Sequence, residues 1–256
     1  MALSKFLGDL LVVIVLFKNK PEQSSAYTSL QAALSSLPFL PTLFIYDNSP
    51  DEYLPRDHHY IYHHDPKNSG ISRAYNKAMG LATKENKKWM LFLDQDTNVE
   101  GTIFEKLLNS INKHPGSCVF VPKIRDEKGL LSPFKYTFGR GKRIVADQEK
   151  YSLKDFRFVN SGMLINCDAF TMSGGYDEEI PLDFSDIAFG ENLKKITSHF
   201  ILLKATLSHS FSGNIRQQLP EALIRFHFFC RGAFTMGKKF GPLYLYYIRA
   251  FSRAAG

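Results

Sequence analysis

Trp89-Met90-Leu91-Phe92-Leu93-Asp94-Gln95-Asp96 is an apolar run that ends in two carboxylates one residue apart. The run has the side chains of a buried strand, and aspartate is a poor strand residue. Paired aspartates at such an end belong where a parallel sheet binds ligands, outside the carboxyl ends of its strands. Clustered carboxylate oxygens suit a hard divalent cation, which can in turn hold the phosphates of a nucleotide. The same residues also read as a solvated turn capping a helix that starts near Glu100.

Working outward, 11–17, 42–46, 59–63, 88–93 and 117–121 read as strands, and 22–37, 71–85 and 101–113 as helices. Such alternation predicts an α/β fold: a mostly parallel sheet flanked by helices. Residues 123–154 are charged, glycine-punctuated and aperiodic, which predicts a loop-rich insertion or hairpin over the site. A strand over 156–166, broken at Ser161-Gly162, is followed by a turn at Gly174-Gly175, a helix over 186–196 and a strand over 200–207. Pro220 and Pro242 suit first helical turns and Gly237 and Gly241 a break, predicting helices over 220–237 and 242–253.

The chain has 256 residues, 44% of them hydrophobic and 22% charged, enough for one large α/β domain with a helical appendage. Cys118, Cys167 and Cys230 lie far apart in apolar runs, which gives neither a disulfide framework nor metal spacing and points to a reducing compartment. The early apolar stretch over 10–17 is too short to span a bilayer. A cytoplasmic protein is expected. The net charge of +7 favours an anionic partner. Arg216, Arg225, Arg231, Lys238, Lys239, Arg249 and Arg253 are interleaved with aromatics in the last third. That pattern fits a membrane-surface helix, a nucleic-acid face, or a helical cap whose aromatics pack on the sheet.

Further polar residues stand at predicted strand ends. Asp47, closing Ile45-Tyr46, can accept hydrogen bonds from a base or ribose, or form an Asx-turn as the chain leaves the strand. Asn68-Ser69-Gly70-Ile71-Ser72-Arg73 reads as a helix start where Gly70 admits a phosphate and Arg73 adds a cation, or as a capped helix with a polar face. Asp183 and Asp186 open a helix beside Phe184, Ile187 and Phe189. A carboxylate against that apolar wall has its pKa raised towards general-base work, or else serves as a helix cap. His209 follows the last predicted strand as a metal ligand or a satisfied polar group.

In their order these segments resemble the inverting glycosyltransferases of family 2, which have the GT-A fold, and within them the rhamnosyltransferase-like branch. The resemblance covers roughly 10–239 and rests on several ordered motifs. It implies that Phe17, Asp47, Asn68, Gly70, Arg73, Asn76, Asp94, Gln95 and Arg231 bind the nucleotide donor. It further implies that Ser161, Gly162, Gly175 and Asp183 line the donor-sugar and acceptor region. Asp96 and His209 match metal ligands for Mg²⁺ or Mn²⁺, and Asp186 matches the catalytic base. A GT-A domain over 1–215 is implied, with a donor half at about 10–122 and an acceptor half at about 155–215, and 216–256 as a basic aromatic helical segment packed on it.

The implied reaction moves a sugar from a nucleoside diphosphate, dTDP-rhamnose or a UDP-sugar, to a hydroxyl of a cell-surface glycan or lipid-linked acceptor. If that acceptor is lipid-linked, the basic aromatic tail can rest on the anionic inner face of the membrane as a peripheral contact; no nucleic acid is expected as partner, since no nucleic-acid module is recognised. Three positions depart from the family pattern. Ala188 stands where an acidic residue is usual, no arginine follows near Gly190-Glu191, and Gly232 replaces an asparagine. These departures motivate an alternative, a catalytically inactive GT-A scaffold that binds nucleotide or glycan.

Overall fold

The computed structural model describes residues 1–53, 59–137, 140–209 and 219–241. In chain order it begins α1 (Leu3–Gly8), β1 (Leu10–Leu16), α2 (Ser25–Leu34), β2 (Thr42–Asp47), β3 (Ile61–His64), α3 (Ile71–Lys84), β4 (Trp89–Asp94), β5 (Thr97–Asn98) and α4 (Ile103–Lys113). It continues with β6 (Val119–Asp126), β7 (Gly129–Ser132), β8 (Phe134–Thr137), β9 (Arg140–Arg143), β10 (Lys150–Ser152), β11 (Phe156–Arg157) and β12 (Leu164–Asn166). The remaining elements are α5 (Cys167–Ser173), α6 (Ser185–Leu193), β13 (His199–His209) and α7 (Leu219–Phe240).

The main sheet has the order β10-β13-β6-β12-β4-β1-β2-β3. β1 pairs in parallel with β2 and β4, β2 with β3, and β6 with β13. β12 runs antiparallel between β4 and β6, so its first residue lies at the edge where the parallel strands end. The mostly parallel sheet read from the sequence is present.

β1 is buried along its whole length, as expected of a branched apolar strand covered on both faces. Val12, Ile14 and Leu16 pack with α1, α2 and α4, while Leu11, Val13 and Val15 meet α3. Ala74, Ala78 and Ala82 recur at helical spacing on α3, and their small size brings that helix close to the sheet. α3 thereby delivers its N-terminus to the ligand edge.

Residues 123–154 extend β6 and then fold into hairpins, with β8, β9 and β11 forming a small separate sheet. It leans on α6 and α7 through an apolar cluster of Tyr136, Ile180, Ala188 and Met236.

Two expectations are corrected. The strand over 156–166 breaks at Ser161-Gly162 as expected, but more widely, leaving only β11 and β12, because Met163 N–H turns back to the Asn160 carbonyl and Gly162 N–H donates to Phe92. α7 runs through Gly237 and stops at Phe240; one helical glycine costs about 1 kcal/mol, and burial of Ala233 and Met236 offsets it. α1 and α5 were not read from the sequence. The helix expected over 242–253 lies outside the described residues. No described helix is long and apolar enough to cross a membrane.

Candidate active site

Register places the sequence-predicted residues on one edge. Val15 pairs with Asp94 and Leu16 with Asp47, so these aspartates flank the end of β1. Ser161 and Gly162 lead into antiparallel β12 at the same edge. The Asp94 N–H donates to Ser161 Oγ at 2.9 Å, and Ser161 Oγ lies 2.6 Å from Thr97 Oγ1. A buried serine therefore fixes both ends of the Asp94-Gln95-Asp96 turn. Gln95 ties that turn to β1 by accepting the Phe17 N–H at Oε1, 2.8 Å away. The Phe17 ring is 40% exposed at the rim.

Asp96 is partly exposed between β4 and β5. β13 pairs antiparallel with β5 so that His209 faces Thr97, which sets the His209 backbone beside the Asp96 turn. The His209 side chain lies outside the described residues.

Asp94 and Asp186 act on the same pair of phenols. Tyr75 OH donates to Asp94 Oδ1 at 3.1 Å, and its ring lies 5.0 Å from that of Tyr176. Burial drives both phenols well above their ordinary pKa, with the charges of Asp94 and Asp186 adding to the effect. Both stay protonated donors. Asp186 keeps a small part of its surface exposed and is otherwise enclosed by protein. Burial above all, opposed by its own backbone N–H and the Ser185 hydroxyl and helped by the charges of Asp94 and Asp183, pushes its carboxyl up to about 7. Burial likewise raises Asp183, against the pull of Arg225 at 3.6 Å.

The loop carrying these two aspartates is docked on the start of α3. Gly70 has φ of +92°, and a Cβ there would come within 2.2 Å of the Pro181 carbonyl oxygen. The Ile71 N–H donates to that oxygen at 2.8 Å, and Ser72 Oγ donates to the Ile180 carbonyl. The close approach expected of Gly70 is thus made to Pro181, and the first N–H of α3 holds a protein carbonyl where phosphate was expected.

Asn76 is similarly occupied: its amide exchanges two hydrogen bonds with the Tyr176 backbone, each 2.9 Å, and a Cβ on Gly175 would press on it. Gly162 packs against Pro122 and Leu207.

Asp47 adopts the Asx-turn alternative. It is 1% exposed, accepting the Ser49 N–H at Oδ1 and the Tyr62 hydroxyl at Oδ2. Asn68 has φ of +50° and donates its N–H to Asp65, shaping the loop before α3. Arg73 is exposed on α3 and close enough for its charge to act on Tyr46 and His63. Arg231, expected near the donor phosphates, is exposed on α7, whereas Arg225 reaches Asp183.

The departures have structural counterparts. Ala188 is sunk in the apolar cluster under α7, where a carboxylate would lack water. Gly232 lies against the Asp183 carbonyl, 2.6 Å from where a Cβ would be, so α7 approaches the site more closely than an asparagine permits. Near Gly190-Glu191 the cation comes from elsewhere in the chain: Arg157, buried on β11, pairs with Glu191 and stacks 5.4 Å over the Tyr136 ring.

Sequence reasoning missed Tyr75 and Tyr176 as groups joining the two aspartates; only their positions beside Asn76 and Gly175 hinted at it. Asn160 is buried and accepts the Tyr176 hydroxyl at 2.6 Å, while its Nδ2 has no hydrogen-bond partner among the described residues.

Asp94, near enough to Asp186 for their charges to interact, and Asp96 in the same turn offer hard oxygen donors that suit Mg²⁺ or Mn²⁺. Among the described residues no group of three or more His, Cys, Asp or Glu gathers tightly enough to hold a metal by itself. Magnesium sites built on one or two carboxylates are completed by substrate phosphates, so the donor set fits that kind of site.

Comparisons with known proteins agree with this geometry. A family model described as "Glycosyl transferase family 2" matches residues 13–172. The dTDP-rhamnosyl transferase RfbF of Shigella flexneri is 22% identical over 123 residues, 47% of this chain and 41% of the relative. This chain therefore spans less than half of that protein. Staphylococcus aureus TarS 1–349 in complex with UDP superposes with a TM-score of 0.54 at 16% identity, over 88% of this chain and 65% of that one. Its complex with UDP-GlcNAc gives 0.56 at 15% identity, over 89% and 66%. At such identities the likeness is one of fold.

Proposed function

The chain belongs to glycosyl transferase family 2 and has the GT-A fold, and on that premise we propose that it transfers a sugar from a nucleoside diphosphate to a hydroxyl with inversion at the anomeric carbon. The observation that carries this reading is the gathering of Asp94 and Asp186 around Tyr75 and Tyr176 at the carboxyl edge of the sheet. The rhamnosyl relative and the UDP complexes of TarS support dTDP-rhamnose or a UDP-sugar as donor. A cell-surface glycan or lipid-linked acceptor suits that donor class.

In the proposed reaction Asp186 takes the proton of the acceptor hydroxyl as its oxygen bonds to the anomeric carbon. The bond from that carbon to the diphosphate oxygen breaks, and the nucleoside diphosphate leaves. A carboxyl titrating near 7 is matched to this task at neutral pH. Ser161 and Gln95 hold the Asp94-Gln95-Asp96 turn, so the carboxylates need little reorganisation during transfer. Asp94 and Asp96, with His209, are the residues assigned to Mg²⁺ or Mn²⁺, which when bound neutralises charge growing on the departing diphosphate. Phe17 at the rim and Arg73 on α3 are left to contact the nucleotide. Asn160 Nδ2, buried without a partner among the described residues, is a donor available to a sugar hydroxyl.

A panel of nucleoside diphosphates and their sugars, run by thermal shift with and without Mn²⁺, tests the reading. A ligand that binds only the folded form raises the melting temperature. The expected result is a shift for UDP or dTDP compounds that grows with Mn²⁺; none for any nucleotide would overturn it. The inactive scaffold is favoured by one observation, the burial of Ala188 where a carboxylate is usual. Donor hydrolysis without acceptor would exclude it.

A further inference from the structure

α7 has two faces with different work. Gly232, Ala233 and Met236 are buried, Phe229 lies 5.1 Å from the Phe184 ring, and Arg225 reaches Asp183. This side clamps the loop that carries Asp186. With 3.6 residues per turn, Leu223, His227, Arg231, Phe234 and Lys238 share the opposite side, flanked by Ile224. Leu223 is 59% exposed, Ile224 55% and Phe234 51%, and Lys238 Nζ sits 4.8 Å over the Phe234 ring. Large apolar side chains on an outward helix face mark an interaction surface.

We infer that this outward face of α7 docks the protein on an anionic lipid surface, taking the lipid-linked acceptor of the proposed reaction one step further. The charge pattern selects that occupant. From Leu219 to Gly256 the sequence holds Arg225, Arg231, Lys238, Lys239, Arg249 and Arg253 against a single acidic residue, Glu221. Arg225 and Lys239 are paired inward with Asp183 and Asp177, so Arg231 and Lys238 are the cations on the outward side of the described helix. Apolar side chains among such cations bury into the headgroup boundary while the charges meet lipid phosphates. A second copy packed through the same face would set Arg231 and Lys238 against themselves. α7 is not long and apolar enough to cross a membrane, so the docking inferred is peripheral. Docking there brings acceptors to the loop of Asp183 and Asp186.

Cosedimentation of the full chain with vesicles tests this without using activity. Vesicles of phosphatidylcholine containing phosphatidylglycerol are expected to bind it, phosphatidylcholine alone much less, and binding is expected to fall as salt rises. Reversing the outward cation Lys238 (Lys238→Glu), which removes one positive charge and adds one negative, is expected to weaken binding on the order of thirtyfold. Leu223→Ser with Phe234→Ser is expected to weaken it at least tenfold through lost apolar burial. Leu223, Phe234 and Lys238 are exposed, so melting temperatures are expected to stay put, as is the melting shift given by nucleotide. Equal binding to both vesicle types, or equal binding by the variants, would overturn the inference while leaving the sugar-transfer reading intact. So would a dimer in solution that the serine variant disrupts, which would give the face to a second copy.

Discussion

An ionised Asp186 sits in a buried position with the charges of Asp94 and Asp183 close by, and the fold carries the cost of keeping it there. Its folded pKa, about 7, lies above the ordinary carboxylate value of 3.8. The stability it contributes is therefore complete below pH 4, declines as pH rises, and is gone above 7. Asp186→Asn removes the charge. Above pH 7 the variant is expected to be more stable than the parent by about 2–4 kcal/mol, with the gap closing towards pH 4, as read by melting curves. The same variant is expected to keep its nucleotide-induced melting shift and to lose transfer by 10²-fold or more, measured as product formation; unchanged turnover would remove Asp186 from its role. Since Asp94 helps raise Asp186, Asp94→Asn is expected to move the acid limb of the kcat/KM profile below 7. The aspartates at strand and helix ends were legible because a carboxylate closing an apolar run is conspicuous. Tyr75 and Tyr176 were not, because their burial comes from packing across 100 residues of chain. Asp47 shows the reverse: a conspicuous position whose carboxylate is spent on Ser49 and Tyr62.

At the scale of elements, the decisive contact is the loop over 180–186, held between the start of α3 and the inner face of α7. Gly70 and Gly232 make both approaches, each lacking the Cβ that would strike a backbone carbonyl of that loop. Gly232→Asn, which restores the residue usual in the family, is expected to destabilise this protein by about 1–3 kcal/mol because Asp183 cannot retreat from both sides. Urea unfolding checks the loss, and a raised donor KM is expected with it. Strand and helix alternation in the first half was readable since each period is carried by local side chains. The course over 156–166 was not: Arg157 turns inward to Glu191, a partner 34 residues away that no local pattern announces. α7 was read as ending at Gly237, but the glycine penalty is smaller than the packing of Ala233 and Met236.

Taken as a whole molecule, the sheet collects residues from distant parts of the sequence onto one edge. β4 brings the Asp94-Gln95-Asp96 turn, β12 brings Ser161, β13 brings the His209 backbone, and α6 brings Asp186. The fold class followed from the pattern of apolar runs, and the order of polar motifs pointed to the family. Net charge alone favoured an anionic partner without choosing among nucleotide, nucleic acid and membrane; the outward face of α7 is inferred to meet the membrane. Crystals grown with Mn²⁺ and UDP or dTDP, with the metal located by anomalous scattering, test the convergence most directly. The expected density places Mn²⁺ at Asp96 against the diphosphate, with the phosphate end of the nucleotide facing Asp186. A nucleotide and metal bound away from Asp94, Asp96 and Asp186 would contradict it.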